Sequence, residues 1–181
     1  MANSNAAAAN TRRVLVDSDT EDFKALYEEH KDLVRSVIYQ IAGPLHLNDL
    51  VQDAFIKIWK GRSGFNEESK ISSWIYRIST NVAIDSFRAT KRRKENFEFD
   101  FSQLVDDKNG AELELENYQL VQRGLATLSE DHRAVLVLAY IHDRPISEIA
   151  DVLEISEGTV KSRLHYAKDL FSSYLQSKGF K

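Results

Sequence analysis

No cysteine occurs among the 181 residues, which excludes disulfides and thiolate-bound metals and suits a reducing compartment. Proline and glycine are scarce too, at 2 and 7 residues. Few chain breakers, with apolar residues returning at helical spacing almost throughout, argue against strands and for an all-α protein. No apolar run has the length needed to cross a bilayer. The start, Met1 to Arg13, is rich in Ala and Asn and lacks the apolar stretch of a secretory signal. A cytoplasmic protein without a membrane anchor is expected, with residues 1–17 a disordered N-terminus.

Hydrophobic residues make up 43% of the chain, enough to build buried cores. The net charge of −4 taken alone argues against nucleic acid as a partner, but its distribution matters more. Acidic residues gather in Asp17 to Asp32 and in Glu98 to Glu116, and basic residues in Arg88 to Lys94 and Lys161 to Lys168. DNA responds to such local patches rather than to the sum.

The periodicity divides the chain. Helices are expected over Thr20 to Ala42, stopped by Gly43-Pro44, and over Asn48 to Lys60. The glycine-bearing loop Gly61 to Ser69 comes next, then a helix over Ile71 to Thr90. From Glu95 to about Gly110 the pattern fails and acidic residues dominate. Shorter helices are expected over Leu113 to Leu125, Glu130 to Ile141, Ile146 to Leu153 and Gly158 to Leu175, with Ser129 and Ser156 as N-caps. The expected architecture is two small helical domains, 18–95 and 112–178, joined by an acidic flexible linker at 96–111. The alternative is a long surface loop inside one domain.

The sharpest local signal is PISEIADVLEISEGTVKSRLHYAK, Pro145 to Lys168. A short helix carries Ile149, Ala150 and Leu153, with Ala150 small enough for a close helix approach. Ile155 and Val160 can fill the corner after the turn. The next helix exposes Thr159, Lys161, Ser162 and Arg163 in its first turns. This is a helix-turn-helix whose second helix suits a major groove: Lys and Arg reach phosphates or guanine edges, and Ser and Thr bond versatilely. An ordinary helical hairpin with a solvated basic face is the plainer reading. Glu154 stands where such turns usually place a left-handed glycine, at a cost of about 1 kcal/mol.

In the first half, Arg77, Asn81, Asp85 and Arg88 step by three or four and form one polar stripe, behind Trp74 and Tyr76. Such a stripe, after a glycine-bearing loop, suits unstacked bases, with Arg88 to Lys94 holding phosphates. It equally suits an amphipathic core helix with a solvated face, and the pattern alone leaves both open.

The run DLVQDAFIKIW (Asp49 to Trp59) followed by SSWIYRISTNVAIDSFR (Ser72 to Arg88) resembles the second region of bacterial sigma factors. The run from Leu125 to Lys168 resembles their fourth region. Their succession across a short acidic linker resembles the extracytoplasmic-function (ECF) group of the sigma-70 family, over about Phe23 to Tyr174. The resemblance implies a factor that binds core RNA polymerase and directs promoter recognition, melting and transcription initiation. It implies that Asp49, Gln52, Asp53 and Lys57 meet the clamp helices of the β′ subunit, and that the fourth region meets the β flap. It assigns Phe65, Trp74, Arg77, Asn81, Asp85, Arg88, Lys91, Arg92 and Arg93 to the minus-ten element, with flipped bases captured near Asn81 and Asp85. It assigns Thr159, Lys161, Ser162, Arg163, His165, Tyr166 and Lys168 to the minus-thirty-five element. Tyr166 stands where the family often has Arg, which removes a guanidinium fork from the reading surface. The linker would thread polymerase channels, and an anti-sigma factor is an expected partner. No cofactor is implied.

Other readings explain less. A dimeric helix-turn-helix regulator of duplex DNA would account for Pro145 to Lys168 but not for the first half. An enzyme is disfavoured: His30, His46, His132, His142 and His165 are scattered, and no phosphate loop, metal cluster or nucleophile constellation stands out. A helical adaptor binding only protein would not need the basic patches.

Overall fold

The computed structural model describes residues 3–62, 71–92 and 111–180, with side chains described over 21–62, 71–92 and 118–180. Among these residues every regular element is helical. The helices are α1 (Asn3–Ala42), α2 (Leu47–Gly61), α3 (Ile71–Arg92), α4 (Ala111–Ala126), α5 (Glu130–Leu136), α6 (Ile146–Leu153) and α7 (Glu157–Ser177). The loop residues 63–70 and the acidic stretch 93–110, expected as base-capturing loop and linker, lie outside the described residues.

Local chemistry sets most boundaries. Gly43 ends α1 at a φ of 88°, its N–H donating to the Tyr39 carbonyl at 2.9 Å; Pro44 cannot extend the ladder. The Ser129 hydroxyl accepts from the His132 amide at the head of α5, and Ser156 accepts from the Thr159 amide at the head of α7, as the caps require. Two differences stand out. α1 starts at Asn3 rather than near Thr20: Ala6 to Ala9 are strong helix formers, and no Pro or Gly interrupts the chain from there to Ala42. The helix expected over Glu130 to Ile141 is α only to Leu136 and continues as a π-turn, Val137–Ile141. That wider turn closes with the His142 amide donating to the Val137 carbonyl at 3.1 Å.

α3 is the centre of the molecule. It packs on α1 and α2 on one side, and on α5 and α6 on the other. Ile75, Tyr76, Ser79, Thr80, Val82, Ala83, Ile84 and Phe87 are all buried, more than a single stripe. The surplus is what a helix clasped from two sides requires. A single contiguous apolar cluster results, running from Val34, Ile38 and Ile58 through Ile75 to Val135, Leu138, Ile149 and Val160. The two halves therefore pack together. α4 crosses α7 closely at Gly124, where a Cβ would come within 2.5 Å of the Phe171 ring.

Candidate nucleic-acid interface

The helix-turn-helix forms as the sequence implies. Ile149 and Val160 are fully buried and Ala150 nearly so, and the Ile155 amide reaches the Ala150 carbonyl at 3.1 Å to close the corner. Val152, absent from the sequence reading, is buried as well. Glu154 adopts the left-handed conformation, φ 55° and ψ 43°. On α7, Lys161, Ser162, His165, Tyr166 and Lys168 are exposed, while Thr159 and Arg163 are half-buried. Lys161 lies 3.8 Å from Glu157, and His165 lies 3.5 Å from Asp169. Tyr166 is 58% exposed with its ring near His132 and His165, so it stands available to an incoming partner.

On α2 the apolar face, Val51, Ala54, Phe55 and Ile58, is buried, and Asp49, Gln52, Asp53 and Lys57 all face outward. Ile56 shares that outer face and is 42% exposed.

The α3 stripe is present but not open along its length. Asn81, Asp85, Arg88, Lys91 and Arg92 are exposed. Trp74 is half-buried, its ring against Gly61, so its larger part packs within the first half. Phe65 and Arg93 lie outside the described residues. Both arginines of the stripe are engaged by the second half. Arg77 donates to the Asp151 carbonyl at 3.0 Å and meets the Glu154 carboxylate at 3.3 Å. Arg88 bonds Glu130 at 3.1 Å and reaches Asp131 at 3.5 Å. Arg163 of α7 bonds the other oxygen of Asp131 at 2.8 Å. The Glu130 carboxyl is held below its ordinary range, first by its own backbone amide at the α5 N-terminus and then by Arg88 and Lys91.

In the first turn of α3, the Ser73 hydroxyl donates to Glu148 at 2.6 Å, and Arg144 holds the other oxygen of that carboxylate at 3.6 Å. The Tyr76 hydroxyl lies 3.3 Å from His142 Nδ1, and the Arg144 guanidinium lies over the Tyr76 ring. Burial, with Arg144 beside it, pushes the His142 imidazole down to about 4. In a separated or unfolded chain it titrates near 6.5. The packed form therefore binds fewer protons between these values, and its stability is lost as pH falls from 6.5 toward 4. His142→Gln is expected to flatten the dependence of Tm on pH across that window, read by circular dichroism. An unchanged slope would remove His142 from that role.

The acidic partners Glu130, Asp131 and Glu148, the Asp151 carbonyl and the buried Arg133 were not legible in the sequence. The Arg133 guanidinium is fully buried, 5.4 Å from the Phe87 ring, and burial lowers its pKa to about 10. The one available signal was Glu154, an acid at a position that favours glycine. Among the described residues no group of three or more His, Asp or Glu is placed to hold a metal ion, and no helix is long and apolar enough to cross a membrane.

Two family models match the chain. Sigma-70 region 2 covers residues 26–93 and sigma-70 region 4 covers 118–170. The ECF RNA polymerase sigma factor SigW of Bacillus subtilis is 30% identical over 173 residues, 87% of this chain and 91% of that protein. The ECF RNA polymerase sigma-E factor of Escherichia coli is 28% identical, covering 92% of this chain and 95% of that protein. Two solved structures share the fold. CnrH in complex with the cytosolic domain of CnrY has a TM-score of 0.65 at 24% identity, covering 91% of this chain and 97% of that one. RpoE in complex with the anti-sigma factor NepR, from Bartonella quintana, has a TM-score of 0.66 at 22% identity, covering 86% and 98%. Helical architecture, helix-turn-helix and both regional matches agree: the chain belongs to the ECF sigma factors of the sigma-70 family.

Proposed function

We propose that this protein docks on core RNA polymerase through the outer face of α2, Asp49, Gln52, Asp53 and Lys57, and divides promoter recognition between its halves. α7 reads duplex DNA at the minus-thirty-five element through Thr159, Lys161, Ser162, Arg163, His165, Tyr166 and Lys168. α3 and the segments flanking it hold the melted minus-ten element: Asn81 and Asp85 bond extruded bases, Phe65 and Trp74 offer stacking surface, and Arg77, Arg88, Lys91, Arg92 and Arg93 neutralise phosphate. One observation carries this reading: the chain sets a polar helix stripe beside a separate, exposed helix-turn-helix and matches sigma-70 region 2 and then region 4 over them. A dimeric regulator would have no use for α1 to α3.

The work is binding and melting rather than covalent chemistry, and its place is the cytoplasm, where polymerase and promoter are. The domain limits 18–95 and 112–178 bracket the matched regions, and the acidic segment 96–111 between them passes through polymerase channels lined for nucleic acid. An anti-sigma factor is the expected inhibitory partner, by analogy with the two solved neighbours, both of them complexes. The test is run-off transcription from genomic fragments by core polymerase with and without this protein. Discrete new transcripts are expected only with it, and none from any fragment, despite sound folding, would refute the proposal.

A further inference from the structure

Tyr166 continues the face of α7 that Thr159 and Ser162 begin, by steps of three and four residues. It is exposed, yet its ring has neighbours on two sides. The His132 ring of α5 stands 6.4 Å from it at an angle of 44°, and the His165 ring stands 5.8 Å away at 50°. Rings attract at such separations without stacking flat. The two imidazoles are held differently. His165 is exposed, with Nε2 3.5 Å from Asp169. His132 is half-buried, and its Nδ1 lies 3.0 Å from the Ser129 hydroxyl, the same oxygen that accepts the His132 amide as the cap of α5. Backbone and ring of His132 are thus tied to one point. Its ring forms a fixed wall beside a phenol that would otherwise exchange among rotamers. α5 packs directly on α7, and Ala167, next to Tyr166, is fully buried.

We infer that Tyr166 and His132 form one base-reading element: Tyr166 lays its ring against the C5-methyl group of a thymine in the major groove, and His132, outside the recognition helix, is the positioning residue that fixes the ring for that contact. The thymine methyl is the apolar feature of the major-groove edge, and an aromatic ring is a surface that matches it. Guanine presents two acceptors there, which a guanidinium pairs bidentately and a single phenol hydroxyl cannot. The guanidinium of Arg163, on the preceding turn of α7, is bonded to Asp131 at 2.8 Å. The base pair that meets Tyr166 is therefore selected as A·T over G·C. Fixing the ring beforehand matters because ordering a free side chain on binding costs affinity for the correct site. The inference rests on the proposed reading of duplex DNA by α7.

The test uses the full-length protein with core RNA polymerase and a promoter library randomised in its upstream element. The wild type is expected to enrich thymine at one position where Tyr166→Arg enriches guanine, with the other positions unchanged. Replacing that thymine by deoxyuridine removes only the methyl group. It should weaken wild-type binding about four-fold and leave binding by Tyr166→Arg as it was. His132→Ala should flatten the preference at that position alone, and His132→Phe, which keeps a ring against Tyr166, should restore it. A loss of folded protein lowers binding to all sequences alike, so a change confined to one position is not a stability effect. The inference would be overturned by an unaltered preference in Tyr166→Arg, by a methyl deletion without effect, or by a His132→Ala profile that is unchanged or lowered equally at every position. No enriched upstream sequence with the wild type would instead refute the reading of α7 itself, and the inference with it.

Discussion

Asp53→Arg is expected to weaken binding to core RNA polymerase by about two orders of magnitude while leaving Tm within about 1 °C. The side chain is exposed on the outer face of α2, so reversing its charge disturbs no packing in the free protein. If this face docks as proposed, the substitution removes a carboxylate and places a guanidinium against the partner surface that the carboxylate faced. Reversals of that kind cost about 2–4 kcal/mol when the position is desolvated on docking. Ile56, 42% exposed beside it, offers apolar surface that docking at this face would bury. Surface capture of polymerase at fixed salt measures the effect. A loss below three-fold would move the docking face elsewhere.

Lys161→Ala with Arg163→Ala is expected to abolish upstream duplex protection in the assembled complex while polymerase binding is retained. Each contact to a base edge contributes about 1–3 kcal/mol of discrimination, and each phosphate contact changes the salt slope by about one. The two residues differ in the free protein. Lys161 is exposed beside Glu157, whereas Arg163 is half-buried and bonded to Asp131. Arg163 must therefore exchange one carboxylate partner for DNA, and its truncation should cost less net affinity than that of Lys161. Footprinting of the single variants separates them.

The helices and the helix-turn-helix were legible in the sequence because their signals are local. Ser129 and Ser156 cap their helices, Gly43-Pro44 stops α1, and Ile149, Ala150 and Val160 fill the corner. The family-level function was legible because two moderately specific motifs occur in a fixed order. What was not legible is pairing across distance. Arg77 with Glu154, and Arg88 with Glu130, join positions far apart in the chain, and exposed pairs leave no periodic trace. The same holds for Arg133, whose charge argued for the surface although its aliphatic stem and guanidinium lie fully inside. α3 was legible as amphipathic, but its second buried face, Tyr76, Thr80 and Ala83, becomes intelligible only once α5 and α6 pack on it.

That packing also sharpens the meaning of the polar stripe. Read from the sequence, Arg77, Asn81, Asp85 and Arg88 are equivalent members of one face. In the structure they separate: Asn81 and Asp85 are exposed in the packed chain, while the two arginines are engaged by the second half. On the proposed assignment, Arg77 and Arg88 must exchange carboxylate partners for phosphate, although Arg88 is itself exposed.

Thymine reactivity to permanganate alongside nuclease footprinting on a dependent promoter tests whether the two halves serve different parts of one promoter. In complexes carrying Asn81→Ala, upstream duplex protection should persist while downstream thymines lose most of their reactivity; in complexes carrying Lys161→Ala, upstream protection should fall while residual melting continues on strong downstream sequences. If both variants lost both signals in parallel, or if neither changed either signal, the division of labour between α3 and α7 would be contradicted.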